Sequence, residues 1–296
     1  MPTSTARVWI ALALVYVVWG STYLGIRIVV ETMPPFLSAG ARFLTAGLLL
    51  AGLVAWRDGP AALRATRAQV RSAVVVGLLL VLGGNGFVVL GETSVPSGLA
   101  ALLVAAVPMW LVLLRAGSGD RPSPRILAGV LLGLGGLAVL AGPGFGGEIP
   151  LGGVLLVLAG SVCWSLGSFS AAKLTLPPNP FTGSAYQMLV GGAGGIVVGL
   201  CRGEQHGLDP GSYSTASWVA LGYLVLFGSL VGFTAYVWLL RAAPLSLVAT
   251  YAYVNPVVAV ALGWLILDEA LTWPILLGGA IVVAAVCVIV STERPG

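Results

Sequence analysis

Arg42 lies seven residues into an apolar run, 35–56, in a chain that carries few charges. A guanidinium at bilayer depth costs about 2.5–3.5 kcal/mol even on lenient insertion scales, so it turns inward and finds a partner. Two chemistries suit it. Its planar fork can grip a solute carboxylate, or it can pair with Glu92 and pin the bundle. Asn85 and Glu92 stand seven apart near the end of another apolar run, on one helix face and ~10 Å apart along the axis. That run is antiparallel to the first, which sets Asn85 near the depth of Arg42 and Glu92 nearer a surface. Both readings of Arg42 stay open at this stage. Glu92 is also the acid best placed to carry a coupling proton, because His206 falls in a loop and the remaining acids fall at run ends.

Other polar side chains occupy matching depths. Trp19, Ser21 and Tyr23 lie in the first run and Trp164 in the sixth; Trp19 and Tyr23 share a helix face. Tyr251 and Asn255 share a face of the ninth run, with Tyr253 between them on another. Gln187 takes the position in the second half that corresponds to Arg42. Small and hydroxylated residues also serve close packing between membrane helices, so the expected cavity set is Trp19, Ser21, Tyr23, Arg42, Asn85, Trp164, Gln187, Tyr251, Tyr253 and Asn255, with packing as the competing role.

The elements that position these residues follow from composition. Of 296 residues, 58% are hydrophobic and 8% charged, against about a quarter charged in a soluble domain. Runs of about 20 apolar residues match a ~30 Å hydrocarbon slab, and ten occur: 8–28, 35–56, 71–91, 95–114, 125–142, 151–172, 181–201, 216–239, 245–267 and 273–291. The first exceeds a signal-peptide core in length and is read as a retained helix. Trp9, Trp56, Trp110 and Trp273 near run ends read as interfacial anchors. Cys163, Cys201 and Cys287 show neither metal spacing nor a disulfide framework, and no cofactor or metal is expected. With the N-terminus inside, inner segments hold Arg7, Arg57, Arg64, Arg67, Arg71, Arg115, Arg121, Arg125, Lys173, Arg241 and Arg294, while the outer side holds Arg27 and Arg202. This bias puts both termini in the cytoplasm of a cell (inner) membrane protein. The scattered arginines give nucleic acid no face to bind.

The sequence also repeats itself. Pro96, Leu99, Ala101 and Pro108 recur as Pro244, Leu247, Ala249 and Pro256 at an offset of 148; Trp19 and Pro35 recur as Trp164 and Pro180 at 145. The expected fold is an all-α integral membrane protein of ten transmembrane helices, built as two inverted five-helix repeats at 6–145 and 150–292, with a site at the midplane between them. Pro108 should free the carbonyl of Val104, and Pro256 that of Ala252, which makes matched bends and pivots in spans four and nine. Glycine ridges at Gly191, Gly195 and Gly199 and at Gly129 and Gly133 read as helix contacts; a homodimer through span five or ten is one arrangement they would allow.

The stretches "VVWGSTYLGIRIVVETMPPFLSAGARFLTAG", "GGNGFVVLGETSVPSGLAALLVAAVPMW" and "ATYAYVNPVVAVALGWLILDEALT" closely resemble EamA-type carriers of the drug/metabolite transporter superfamily. The resemblance spans nearly the whole chain. It implies a ten-helix carrier with a cavity between its halves, an exporter of amino acids or other small metabolites. Signature positions carry over as Trp19, Gly20, Arg42, Pro108, Pro256 and Glu269. The expected function is a secondary transporter of small, metabolite or drug-like solutes by alternating access; no Walker loop is present to use ATP directly. The alternative is an intramembrane enzyme acting on lipid or prenyl substrates, which would want paired acids or a nucleophile with a base; the spans carry neither. A channel would want a charged ring or carbonyl filter.

Overall fold

The structure, a computed structural model, describes residues 5–119, 121–141, 150–243, 248 and 250–292. In lipid a backbone can satisfy its polar groups only internally, and the apolar runs accordingly form helices. α1 (Thr5–Val30) leads into α2 (Pro35–Asp58), where Pro35 takes a first-turn position that needs no N–H. α3 (Arg67–Gly91) begins at a capping box between Thr66 and Gln69. α4 (Ser97–Val104) and α5 (Val107–Gly117) are two pieces of one apolar stretch; α6 (Pro124–Ala141) follows. α7 (Leu151–Lys173) and α8 (Pro180–Cys201) precede α9, which runs in three pieces, Thr215–Tyr223, Leu224–Phe233 and Thr234–Ala242. α10 (Tyr251–Leu267) and α11 (Trp273–Thr292) end the described chain.

These helices fall on the expected apolar runs, with modest shifts at their ends; most of the start of the ninth run lies outside the described residues. Seven segments are long and apolar enough to cross a bilayer, and Pro124–Leu140, Val254–Leu267 and Trp273–Ile289 are shorter apolar helices, among the described residues. The chain is an all-α, multi-pass membrane protein.

Glycines set the closest contacts. A Cβ on Gly40 would meet Ile196 N at 2.7 Å and Gly192 O at 2.9 Å, so α2 and α8 touch backbone to backbone. Leu37 lies against Gly199 and Leu189 against Gly47. The partner number falls as the α2 number rises, so the two helices are antiparallel. α6 and α11 behave alike: Gly129 meets Ile289, Gly136 meets Val282, and Leu140 meets Gly278. The glycine ridges expected to join helices are therefore engaged within the chain. Trp9, Trp56 and Trp273 are exposed, but Trp110 departs from its anchor reading: it is half-buried against the core and donates to Ser161 Oγ at 2.8 Å.

The irregular places differ from expectation. Pro108 does not kink a continuous helix. α4 stops at Val104, the chain turns through Ala105 and Ala106, and α5 restarts with Pro108 in its first turn. A first-turn proline has no intrahelical acceptor to miss, which is why the break precedes it. Pro256 instead sits inside the continuous α10. The irregularity that recurs in both halves is a π-helical segment, Leu78–Asn85 in α3 and Leu224–Phe233 in α9; an offset of 148 carries 78–85 onto 226–233. Segments of this kind concentrate at functional sites. Side chains answer the loosened carbonyls: Asn85 Nδ2 donates to Leu80 O (3.3 Å) and Trp19 Nε1 to Gly228 O (3.2 Å).

Gly40→Ala is expected to destabilise the protein by about 1–3 kcal/mol, because the neighbours it meets are backbone atoms that cannot step aside. Gly52, where a Cβ would find nothing within 4 Å, serves as control. Thermal denaturation in detergent should separate Gly40→Ala from Gly52→Ala; equal melting would contradict the backbone contact.

Candidate functional site

Helices α1, α2, α3, α7, α9 and α10, with the α4–α5 break, enclose a central cavity of about 80 Å³, room for roughly five waters. Side chains from five helices define its character. Trp19 and Tyr23 come from α1, Arg42 from α2, Asn85 from the α3 π segment, Trp164 from α7, and Tyr251 and Asn255 from α10. Seven of the ten expected cavity residues are thus brought together. Ser21 is not among them; its hydroxyl donates to Val18 O (2.8 Å) and meets the Tyr223 hydroxyl (2.5 Å). Gln187 is buried where α8 touches α3, with its backbone under Gly77. The Tyr253 side chain lies outside the described residues.

One wall is aromatic. Trp19 makes edge contacts with Trp164 (5.8 Å between ring centroids) and Tyr251 (5.5 Å), and a tilted contact with Tyr236 (4.8 Å). Such offset geometries suit the ring quadrupoles. The wall fits because Gly232 is bare: a Cβ there would meet Trp19 Nε1 at 2.6 Å. Asn255, with its amide turned to satisfy its neighbours, donates to Tyr16 O (3.1 Å) and Tyr251 O (3.3 Å), which fixes α10 against α1.

The charge sits beside this aromatic wall, where Gly228 touches both Trp19 and Arg42. Arg42 is 4% exposed, and its Nε donates to Ser229 Oγ at 2.9 Å. Its guanidinium carbon sits 4.6 Å from the Phe43 ring centroid, and Gly228 leaves space for Nη2. Nη1 finds no hydrogen-bond partner among the described residues. The reading in which Arg42 pairs with Glu92 is not what the geometry gives: among the described residues both Glu92 carboxyl oxygens are buried without a hydrogen-bond donor, and Arg42 directs its Nε to Ser229 of α9. Arg27 hydrogen-bonds the Glu92 main chain, Nη1 donating to Glu92 O at 2.5 Å.

At the end of the bundle where α1, α3, α8 and α10 finish, the distal end, two carboxylates cap helices from other elements. Glu269 accepts from Ser97 N (2.7 Å) and Gly98 N (3.0 Å) at the start of α4; Glu204 accepts from Phe36 N (3.0 Å) and Leu37 N (2.9 Å) at the start of α2. Helix N-termini favour anions. Asp268 makes the first reach possible. It ends α10 in the left-handed region (φ 51°), and Glu269 N closes onto Gly263 O at 3.1 Å, which turns the next side chain back toward α4. Ser217 and Thr32 add a hydroxyl bridge between α9 and the end of α1 (2.8 Å). The expected cavity set lacked Phe43, Thr22 and Ser161, and Glu269, a signature position in the family resemblance, was given no capping role there.

Comparison with known proteins follows this geometry. The model of the EamA-like transporter family matches residues 7–142 and again 151–291. The chain is 39% identical over 254 residues to the "Uncharacterized inner membrane transporter YedA" of Escherichia coli (strain K12), covering 86% of this chain and 80% of that protein. It is 29% identical over 287 residues to the "Probable amino-acid metabolite efflux pump" of the same organism, covering 91% and 90%. A solved crystal structure superposes with a TM-score of 0.67 over 98% of both chains at 22% identity, a likeness of fold.

Removing the distal cap should be visible without any ligand. Glu269→Ala is expected to speed amide hydrogen exchange at the start of α4 by about tenfold, the loss of a charge-assisted contact of ~1–2 kcal/mol, while α2 and α8 keep their protection. Unchanged exchange over residues 97–104 would show that the cap does not hold this end.

Proposed function

Because the chain belongs to the EamA-like transporter family, we propose that this membrane transporter is a secondary carrier exporting small amphiphilic carboxylates, amino acids above all, across the inner membrane. The observation that carries the substrate class is Arg42. A buried guanidinium with one nitrogen bonded to Ser229 and another without a hydrogen-bond partner among the described residues lines a cavity that Trp19, Trp164 and Tyr251 line as well. A carboxylate would take the open fork. An apolar or aromatic body would lie against Trp19, Trp164 and Tyr251, and an ammonium would meet ring faces. The efflux pump named among the relatives agrees with this class and with outward transport.

The mechanism we infer is alternating access between two inverted halves of five spans each, with both termini cytoplasmic. The antiparallel contacts favour inversion. α2 and α8 occupy equivalent places in the two repeats, as do α6 and α11; a two-fold axis along the helices would leave such mates parallel, whereas an axis across them makes them antiparallel. Paired π segments and paired tryptophans from the two repeats also fit. In this reading the distal caps close one mouth of the cavity, and their release would open it. Neither the relatives nor the geometry supports the intramembrane enzyme.

The test compares L-phenylalanine with phenethylamine, which lacks the carboxylate, in thermal-shift or equilibrium binding to the purified protein. Wild type is expected to prefer phenylalanine. Arg42→Gln should weaken phenylalanine by about 10–100-fold, the scale of ~1.5–3 kcal/mol for a hydrogen bond to a charged group, and leave phenethylamine unchanged. Equal loss for both, or none for either, would remove the carboxylate reading.

A further inference from the structure

Glu92 is the buried charge that the carrier reading leaves unused. Its residue is 0% exposed and lies one position past Gly91, the last residue of α3. Its backbone is tied on both sides, N to Val88 O (2.9 Å) and O to Arg27 Nη1, yet neither carboxyl oxygen receives a hydrogen bond among the described residues. It does not line the central cavity. A packed carboxylate with no donor is costly, whereas the neutral acid tolerates the same surroundings. The groups that act on it electrostatically are Glu269 after α10, Arg27 and Tyr23 of α1, and Arg42 of α2. Arg42 has a place between two spaces: it lines the central cavity and also a second, water-sized cavity of about 10 Å³ beside Val89, three residues before Glu92.

From this arrangement, and resting on the carrier reading above, we propose that Glu92 is the transporter's proton-binding site and that it is coupled to the solute through Arg42. One guanidinium serves two anions in turn. With the cavity empty, the positive charges of Arg27 and Arg42 draw Glu92 toward ionisation against the cost of its burial and the nearby Glu269. When a solute carboxylate takes the charge of Arg42, that share of the pull toward ionisation is lost, and Glu92 takes up one proton from water, forming one O–H bond and nothing else. When the solute leaves, the proton leaves. Solute carboxylate and proton therefore bind and travel together, and an outward flow of accumulated solute carries protons with it. Linkage makes the coupling reciprocal.

The experiment uses the full chain in proteoliposomes with radiolabelled L-phenylalanine as probe, comparing wild type with Glu92→Gln. Two modes are measured: exchange with no pH difference, and net uptake with the outside acid or alkaline. Acid outside is expected to speed wild-type uptake about tenfold. Glu92→Gln should keep exchange within about twofold of wild type and lose the response to pH. A variant that responds like wild type, or a wild type that exchanges yet responds to neither gradient or only to the alkaline one, overturns the coupling and leaves the carrier intact. Absence of exchange in both proteins strikes the carrier reading instead. The proton site is then decided by infrared difference spectra of the two proteins in lipid on loading with L-phenylalanine: a protonated-carboxyl band that rises in wild type and is missing in Glu92→Gln supports it, and identical difference spectra reject it.

Discussion

A positive charge that cannot leave the apolar interior governs this structure. Arg42 stands on α2 where hydrocarbon would surround it on a lone helix, and the chain instead gives it Ser229, the face of Phe43 and the space over Gly228. None of these neutralises it. Burying an uncompensated guanidinium is expensive, so a fold that keeps one open toward a cavity holds standing demand for an anion. The aromatic side chains that share the cavity then decide what else that anion must carry.

The surrounding scaffold can be understood as what keeps this site both tight and movable. Without a hydrophobic force between helices in lipid, close packing comes from small residues, and Gly40 against Gly192 locks α2 to α8 backbone to backbone. The α3 and α9 walls are looser: both contain π-helical segments whose carbonyls are met by Asn85 and Trp19, residues of the cavity itself. Side-chain bonds of this sort can be exchanged at little cost when the wall shifts. The proposed rocking of two inverted halves thus has rigid seams at α2–α8 and α6–α11 and softer seams beside the site.

Much of this was legible in the residues. Hydropathy located the helices because lipid leaves the backbone no alternative, and a charge or an aromatic pair at matching depth in several runs located most of the cavity. Ser21 and Gln187 fall outside the cavity lining because depth is readable from a sequence, but the rotation of a helix about its axis is set by neighbours: the Ser21 hydroxyl meets Tyr223 of α9, and Gln187 is buried where α8 packs on α3. The break before Pro108 and the π segments were not legible either, since hydrogen-bond register inside an apolar run is chosen by packing and leaves no hydropathy signal. The reach of Glu269 to α4 depends on one left-handed residue, Asp268, which no periodicity announces.

The most direct trial of the open guanidinium is a distance. Magic-angle-spinning NMR on protein with ¹⁵N-arginine, in lipid and loaded with phenylalanine carrying a ¹³C carboxylate, would report arginine–carboxylate recoupling, and Arg42→Lys would identify its source. A contact of about 3–4 Å, expected of a bidentate pair and abolished by that substitution, is what the account predicts. Bound phenylalanine whose carboxylate shows no arginine within that range would contradict it.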